Sequence, residues 1–422
     1  MSPDTITPFK KDMQVLEMPI PVRQPDGSLR IERYQVHRTV HGPVIHRVPY
    51  NNRAYTRNST FRGHEVDSFM ALLDMNCATN LQDFEQAARQ IWVSNNFTAA
   101  DTGGNIGYWL TGRVPVRHPD QDPRLPTPGT GEYDWRGITV ATDLARCVNP
   151  KEGWLGNFNN KPSIKTPGWW PEMMWGHRIH QVLRDTNPID WDTFVDINRL
   201  NGEHYFPATF MKPYLVSLIR ERGKDDPRAM QAAQMLEEWQ DNNVPDQPCV
   251  LMFDEWMLDT LMELFTPDFK GIVQRDVSVD NLQLFGPLMF RILCPEKSGV
   301  KLKGDYLHGR DKDEISYRCF ANVLDRLTTA HGPDMTKWPY TPPEMKMGDL
   351  PPFPARNCGG FWMCTELGNP VRAMDLIISG QSGSKKSAHW CDERPLFDKW
   401  QLKPTRFNRE EFEFPEGMKN AS

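Results

Sequence analysis

No stretch of these 422 residues approaches the ~20 consecutive apolar residues that a membrane-spanning helix needs. The N-terminus has no apolar core of the kind an export signal carries. The eight cysteines include no CxxC pair, so zinc-ribbon spacing is absent. Cys358 and Cys364 lie close enough in sequence for a small disulfide loop, and free buried thiols are the reading with fewer requirements. No basic run is longer than a pair such as Lys385-Lys386, and the net charge is −6, which argues against nucleic acid as a partner. No internal repeat is evident.

What the chain does have is ring area and turns. Fourteen Trp and 21 Phe supply large buried areas, although only 39% of residues are hydrophobic. Thirty-six Pro and 29 Gly imply many fixed turns and long loops. The length could make two or three average domains or one large fold.

Periodicity gives a mixed α/β fold. Leu29–Val36 alternates apolar and polar side chains and reads as a strand, and Val40–Val48 reads as a second strand interrupted at Gly42-Pro43. Asp67–Cys77 is a dense apolar segment at helical spacing, and Leu81–Trp92 is an amphipathic helix. Asn96–Asp101 and Ile106–Leu110 flank Gly103-Gly104 as a hairpin of a central sheet. Helices are expected over Trp191–Leu200, Ala208–Arg222, Pro227–Gln240 and Phe253–Leu264, the third opened by the Asp226-Pro227 cap signal. Met335–Pro354 reads as a Pro-rich surface excursion, and Phe361–Ile378 as strand.

The stretch Leu155-Gly156-Asn157-Phe158-Asn159-Asn160-Lys161-Pro162 is the most informative in the chain. Asn is depleted in strands, and a buried amide must be hydrogen-bonded. Amides beside a rigid X-Pro turn suit a place where an anion or oxyanion is held, and a plain polar loop is the alternative. Three more segments accompany it: Arg38-Thr39-Val40-His41-Gly42-Pro43-Val44; Asp101-Thr102-Gly103-Gly104-Asn105-Ile106-Gly107-Tyr108 with Asp122-Pro123-Arg124-Leu125-Pro126; and Gly380-Gln381-Ser382-Gly383 with His389 and Trp390.

In this order and spacing the chain resembles the β-subunit of the penicillin acylase family of N-terminal-nucleophile hydrolases, from about Leu29 to about Trp400. The resemblance implies part of an αββα sandwich with a helical excursion. As one domain truncated at its N-terminus, it would run as sheet and active-site segment over 29–189, helical excursion over 190–270, return to the sheet over 271–404 and peripheral tail over 405–422. It implies hydrolysis of a linear amide that joins an acyl side chain to an amine, as in penicillins or acyl-homoserine lactones. In that family the nucleophile is the N-terminal Ser of the β-subunit, with its own α-amine as base. The first Asn of the Asn-Asn-x-Pro element donates to the oxyanion, which is Asn159 here. An Arg in a Trp-rich segment steadies the site, and Trp175-Gly176-His177-Arg178-Ile179 makes it Arg178. A calcium ion bridging the subunits would take the carbonyl of Pro123, with Glu172 as a further ligand; catalysis itself requires no cofactor. Periplasmic or secreted location is also a family trait.

The nucleophile is the departure. Only 37 residues precede Arg38, and none of them forms the Ser-Asn pair that opens the family's β-subunit. Ser2 is followed by Pro3-Asp4-Thr5, which does not match. The expectation is therefore a chain inactive alone, lacking its α-subunit and the first part of the β-subunit. The alternative is a non-catalytic relative, kept as a ligand-binding or structural remnant. A weaker third reading is a carbohydrate-binding module using clusters such as Trp169-Trp170. An ungapped register from Asp122-Pro123-Arg124 places Leu72 and Asn95 where a phenylacetyl pocket of the family has Trp and Ile, so acyl chains of another shape are expected. His41 and His389 look like bases in isolation but are expected to be hydrogen-bonded structural residues. Asp101–Asn105 is expected to be a hairpin turn rather than a calcium loop.

Overall fold

The computed structural model describes residues 13–406 except 52, 167, 169, 171–175, 187 and 276–278, and without the side chains of 51 and 279–284. The chain forms two compact units, residues 1–171 and 172–422. Ser2 and the tail beyond Arg406 lie outside the described residues.

The first unit opens with a four-stranded antiparallel sheet: β1 (Gln14–Arg23), β2 (Leu29–Thr39), β3 (Gly42–Val48) and β4 (Arg53–Thr56), in that spatial order. The β1–β2 register runs from Gln14↔Arg38 to Arg23↔Leu29. The interruption expected at Gly42-Pro43 is the start of β3. Gly42 has φ +108°, and a Cβ there would sit 2.2 Å from the Arg57 carbonyl oxygen, so only glycine fits. The β1–β2 hairpin is wet on both faces: Met18, Ile20 and Tyr34 are exposed on one, Leu29 and Ile31 on the other. Ladder hydrogen bonds rather than a core hold it.

Next come α1 (Glu65–Asn76) and α2 (Leu81–Ala88). The Asn80 side chain caps α2 by accepting from the Gln82 and Asp83 amides at 2.9 and 3.0 Å. The helix ends four residues before Trp92. There the Arg113 guanidinium donates to the carbonyls of Arg89 and Ile91, taking acceptors that another helical turn would have used. Ala71, Met75, Ala88, Ile91 and Trp109 form the core of this unit. The expected hairpin is present as β5 (Asn96–Ala100) and β6 (Ile106–Leu110), with β7 (Arg146–Val148) added to β6. Its turn is closed by Asp101 Oδ1, which accepts from the Asn105 amide at 3.0 Å.

The second unit is dominated by helices: α3 (His177–Asp185), α4 (Trp191–Gly202), α5 (Phe206–Arg222), α6 (Pro227–Glu238) and α7 (Pro248–Phe269). The helical body does not give way to sheet at 271. It continues through α8 (Val279–Leu293), α9 (Pro295–Ser298) and α10 (Lys312–His331). The stop and start signals of α10 are in the sequence: Asp311 accepts from the amides of Asp313 and Glu314, and Gly332 follows the last turn with φ +88°. Helix α7 is apolar over most of its circumference because α10, α8 and the segment Met335–Tyr340 pack on it, and Phe253, Trp256, Leu261 and Phe265 are fully buried, while Glu255, Asp259 and Glu263 make one acidic stripe paired with arginines. Met335–Pro354 is thus not a surface excursion at its start. Met335 and Trp338 are 1% exposed, and the Trp338 indole donates to the Gly332 carbonyl at 2.9 Å. Short strands β8 (Glu344–Met345) and β9 (Phe353–Pro354) pair with each other. The strands β10 (Phe361–Glu366), β11 (Arg372–Ile377) and β12 (Lys403–Pro404) form a last antiparallel sheet. Phe353, Trp362, Leu376 and Phe397 close a small core beside it. No helix among the described residues is long and apolar enough to cross a membrane.

One buried acid makes the helical unit pH-sensitive. Asp254 lies in the core and accepts the Tyr205 hydroxyl, and burial pushes its carboxyl from 3.8 up to about 7. Between those values the unfolded chain has released a proton that the native state keeps, so stability falls as pH rises from about 4 to 7. Asp254→Asn is expected to flatten that slope and to raise stability at pH 8 by about 1–3 kcal/mol. Thermal melts across the pH range check this; an unchanged slope refutes it.

Candidate functional site

In the loop Leu155–Pro162 two of the three amides are spent on the loop itself. Asn157 Oδ1 accepts the Asn159 backbone N–H at 2.8 Å, and its Nδ2 donates to the Asn160 carbonyl at 3.3 Å. Asn160 Oδ1 accepts the Phe158 N–H at 3.0 Å. These bonds hold Asn159 in the left-handed region at φ +57°, a conformation that Asn tolerates better than most residues. The Asn159 side chain is exposed and has no hydrogen-bond partner among the described residues. It is an amide on a held backbone with both donors open, as binding an oxygen that gains charge during reaction requires.

Arg178 belongs to the second unit, in the first turn of α3. It is half-buried, its Nη1 donates to Gln181 Oε1 at 2.8 Å, and it makes no ion pair among the described residues. A cation at a helix N-terminus opposes the macrodipole by roughly 0.3–1 kcal/mol. The neutral Gln181 does not compensate that charge, and no described carboxylate pairs with it. Burial, then the nearby Arg184, His180 and Arg178, push the His177 imidazole down. Burial pushes His204 down to about 4 against the pull of Asp241. At neutral pH the His204 imidazole is uncharged. Gln181 was not legible as a partner; its i+3 spacing from Arg178 on a helix is the signal that points to it.

Pro123 is exposed in a turn where the Asp122 carboxylate binds the Arg124 side chain, at 2.8 Å from Nε. Glu172 lies outside the described residues. A calcium ion takes six to eight oxygens, and no group of three or more His, Cys, Asp or Glu among the described residues is placed to hold a metal. The carboxylate next to Pro123, that of Asp122, is engaged by arginine.

His41 and His389 are hydrogen-bonded to Asp134 and Asp392 at 2.7 and 2.9 Å. Leu72 and Asn95 are both exposed. All eight cysteines are free, Cys358 and Cys364 included, and burial pushes the Cys358 thiol up to about 12.

Comparison with known proteins places the chain in a family. The pattern of the penicillin amidase family matches residues 8–414. Penicillin G acylase of Escherichia coli is 23% identical over 438 residues, covering 90% of this chain and 51% of the relative. Acyl-homoserine lactone acylase QuiP of Pseudomonas syringae pv. syringae is 26% identical, over 90% of this chain and 52% of the relative. The chain thus spans about half the length of these curated relatives. Its fold matches the thermostable Penicillin G acylase from Alcaligenes faecalis with a TM-score of 0.79 at 22% identity, covering 94% of this chain and 79% of that one. The mixed helix-and-sheet architecture is therefore of the N-terminal-nucleophile hydrolase type, and the chain belongs to the penicillin amidase family.

Proposed function

We propose that this chain carries the transition-state-binding part of a linear-amide hydrolase that frees an acyl side chain from an amine. The observation that carries the reading is the open Asn159 amide, on a loop whose backbone Asn157 and Asn160 hold and that resembles the family's Asn-Asn-x-Pro element. In this reading a Ser hydroxyl attacks the amide carbon, and the Ser α-amine takes its proton. That Ser comes from the portion of the family sequence this chain does not span. The carbonyl oxygen becomes an oxyanion, to which Asn159 Nδ2 donates. Collapse breaks the C–N bond, and the amine leaves with the transferred proton. Water then releases the acyl group through a second oxyanion in the same place. Arg178 is the match in this chain to the family's steadying Arg, a guanidinium that offers several N–H donors rather than a base.

A chromogenic acyl-anilide and acyl-homoserine lactone panel tests this. The chain alone is expected to release nothing, and the chain joined to the Ser-bearing part of a family sequence is expected to turn over at least one acyl amide. Silence of the completed protein on the whole panel overturns the reading, as does turnover by the chain alone that survives Asn159→Ala and Ser2→Ala.

A further inference from the structure

Helix α1 carries apolar side chains on two opposite sides. Ser68, Ala71 and Met75 pack inward. Val66, Phe69, Met70 and Leu73 follow one another at i, i+3, i+4 and i+7 on the outer side, 73%, 62%, 50% and 44% exposed. The exposed Cys77 extends the row by one turn. Single exposed apolar residues are ordinary, but a row at helical spacing is a contiguous patch, and a helix that faces water is normally polar there. The charged side chains of α1 are Glu65, Asp67 and Asp74, all acidic and all exposed, with no Lys or Arg on the helix. A second copy set against this row would bring like charges together.

We infer that the outer row of α1 is the seat of the family segment that this chain does not span, through an apolar strip rimmed by Lys or Arg. The inference rests on the amidase reading for the existence of such a partner. The unspanned half of the Escherichia coli relative is long enough to cover it, since this chain matches only 51% of that protein. Both wet faces of the β1–β2 hairpin lie in the same unit and have the same need of cover.

Cys77 is a built-in probe, because it is exposed and the other seven cysteines are buried or half-buried. The experiment follows the rate of Cys77 modification by a thiol reagent in the full chain. It is run with and without the unmatched part of the Escherichia coli acylase as a separate polypeptide. Modification is expected to slow by about tenfold or more when that polypeptide saturates the chain. Phe69→Lys or Val66→Lys should restore the fast rate and leave the melting temperature unchanged, since both side chains already face solvent. The inference is overturned by an unchanged rate with the polypeptide present. It is equally overturned by protection that rises with the chain's own concentration, or by protection that persists in both variants. Protection without turnover leaves this surface standing and counts against the amidase reading, whereas turnover without protection does the reverse.

Discussion

Asn159→Ala is expected to lower kcat of the completed enzyme by about 10²–10³-fold, the usual loss for one oxyanion donor. KM should change little, because the amide meets its target only once the carbonyl oxygen has moved and gained charge. The melting temperature should hold. Asn159 is exposed and its side chain bonds nothing described, so truncation removes no packing and leaves no buried partner orphaned. Its neighbours make the contrast. Asn157→Ala removes the acceptor of the Asn159 N–H and the donor to the Asn160 carbonyl. That substitution should weaken catalysis too, through a loop no longer held near φ +57°. Wild-type kcat in Asn159→Ala, measured by steady-state kinetics, would remove the oxyanion assignment.

Trp256→Ala is expected to destabilise the helical unit by about 3–5 kcal/mol. Trp256 is fully buried on α7, with its ring 5.1 Å from that of Phe253. Its indole N–H lies 3.2 Å from both the carbonyl and the hydroxyl oxygen of Ser316 on α10. Truncation leaves a cavity between two helices and removes the indole donor from the fully buried Ser316 hydroxyl, which keeps only its hydrogen bond to Tyr214. Trp256→Phe refills most of the volume and loses only the hydrogen bond, so it should cost about 1–2 kcal/mol. Urea unfolding distinguishes the two. A loss below about 1 kcal/mol for the alanine variant would mean that α7 is not the centre of the unit.

Local signals made much of this protein legible before its fold was known. The alternation in Leu29–Val36, the Gly103-Gly104 hairpin and the 3.6-residue rhythm from Trp191 to Leu264 depend on side chains a few residues apart. The four ordered motifs pointed to the family for the same reason, since a motif is a local arrangement of residue types. Helices α8 and α10 were missed because what makes them core is distant: Trp256 meets Ser316 across 60 residues of chain. Likewise Met335 and Trp338, flanked by turn-forming residues, are buried because α7 and α10 need cover. The loop Asn157-Phe158-Asn159-Asn160 shows the division most closely. Its residue types called for hydrogen bonding and a turn. Only the folded backbone decided that Asn157 and Asn160 close the loop while Asn159, in the left-handed region, is left with its amide open.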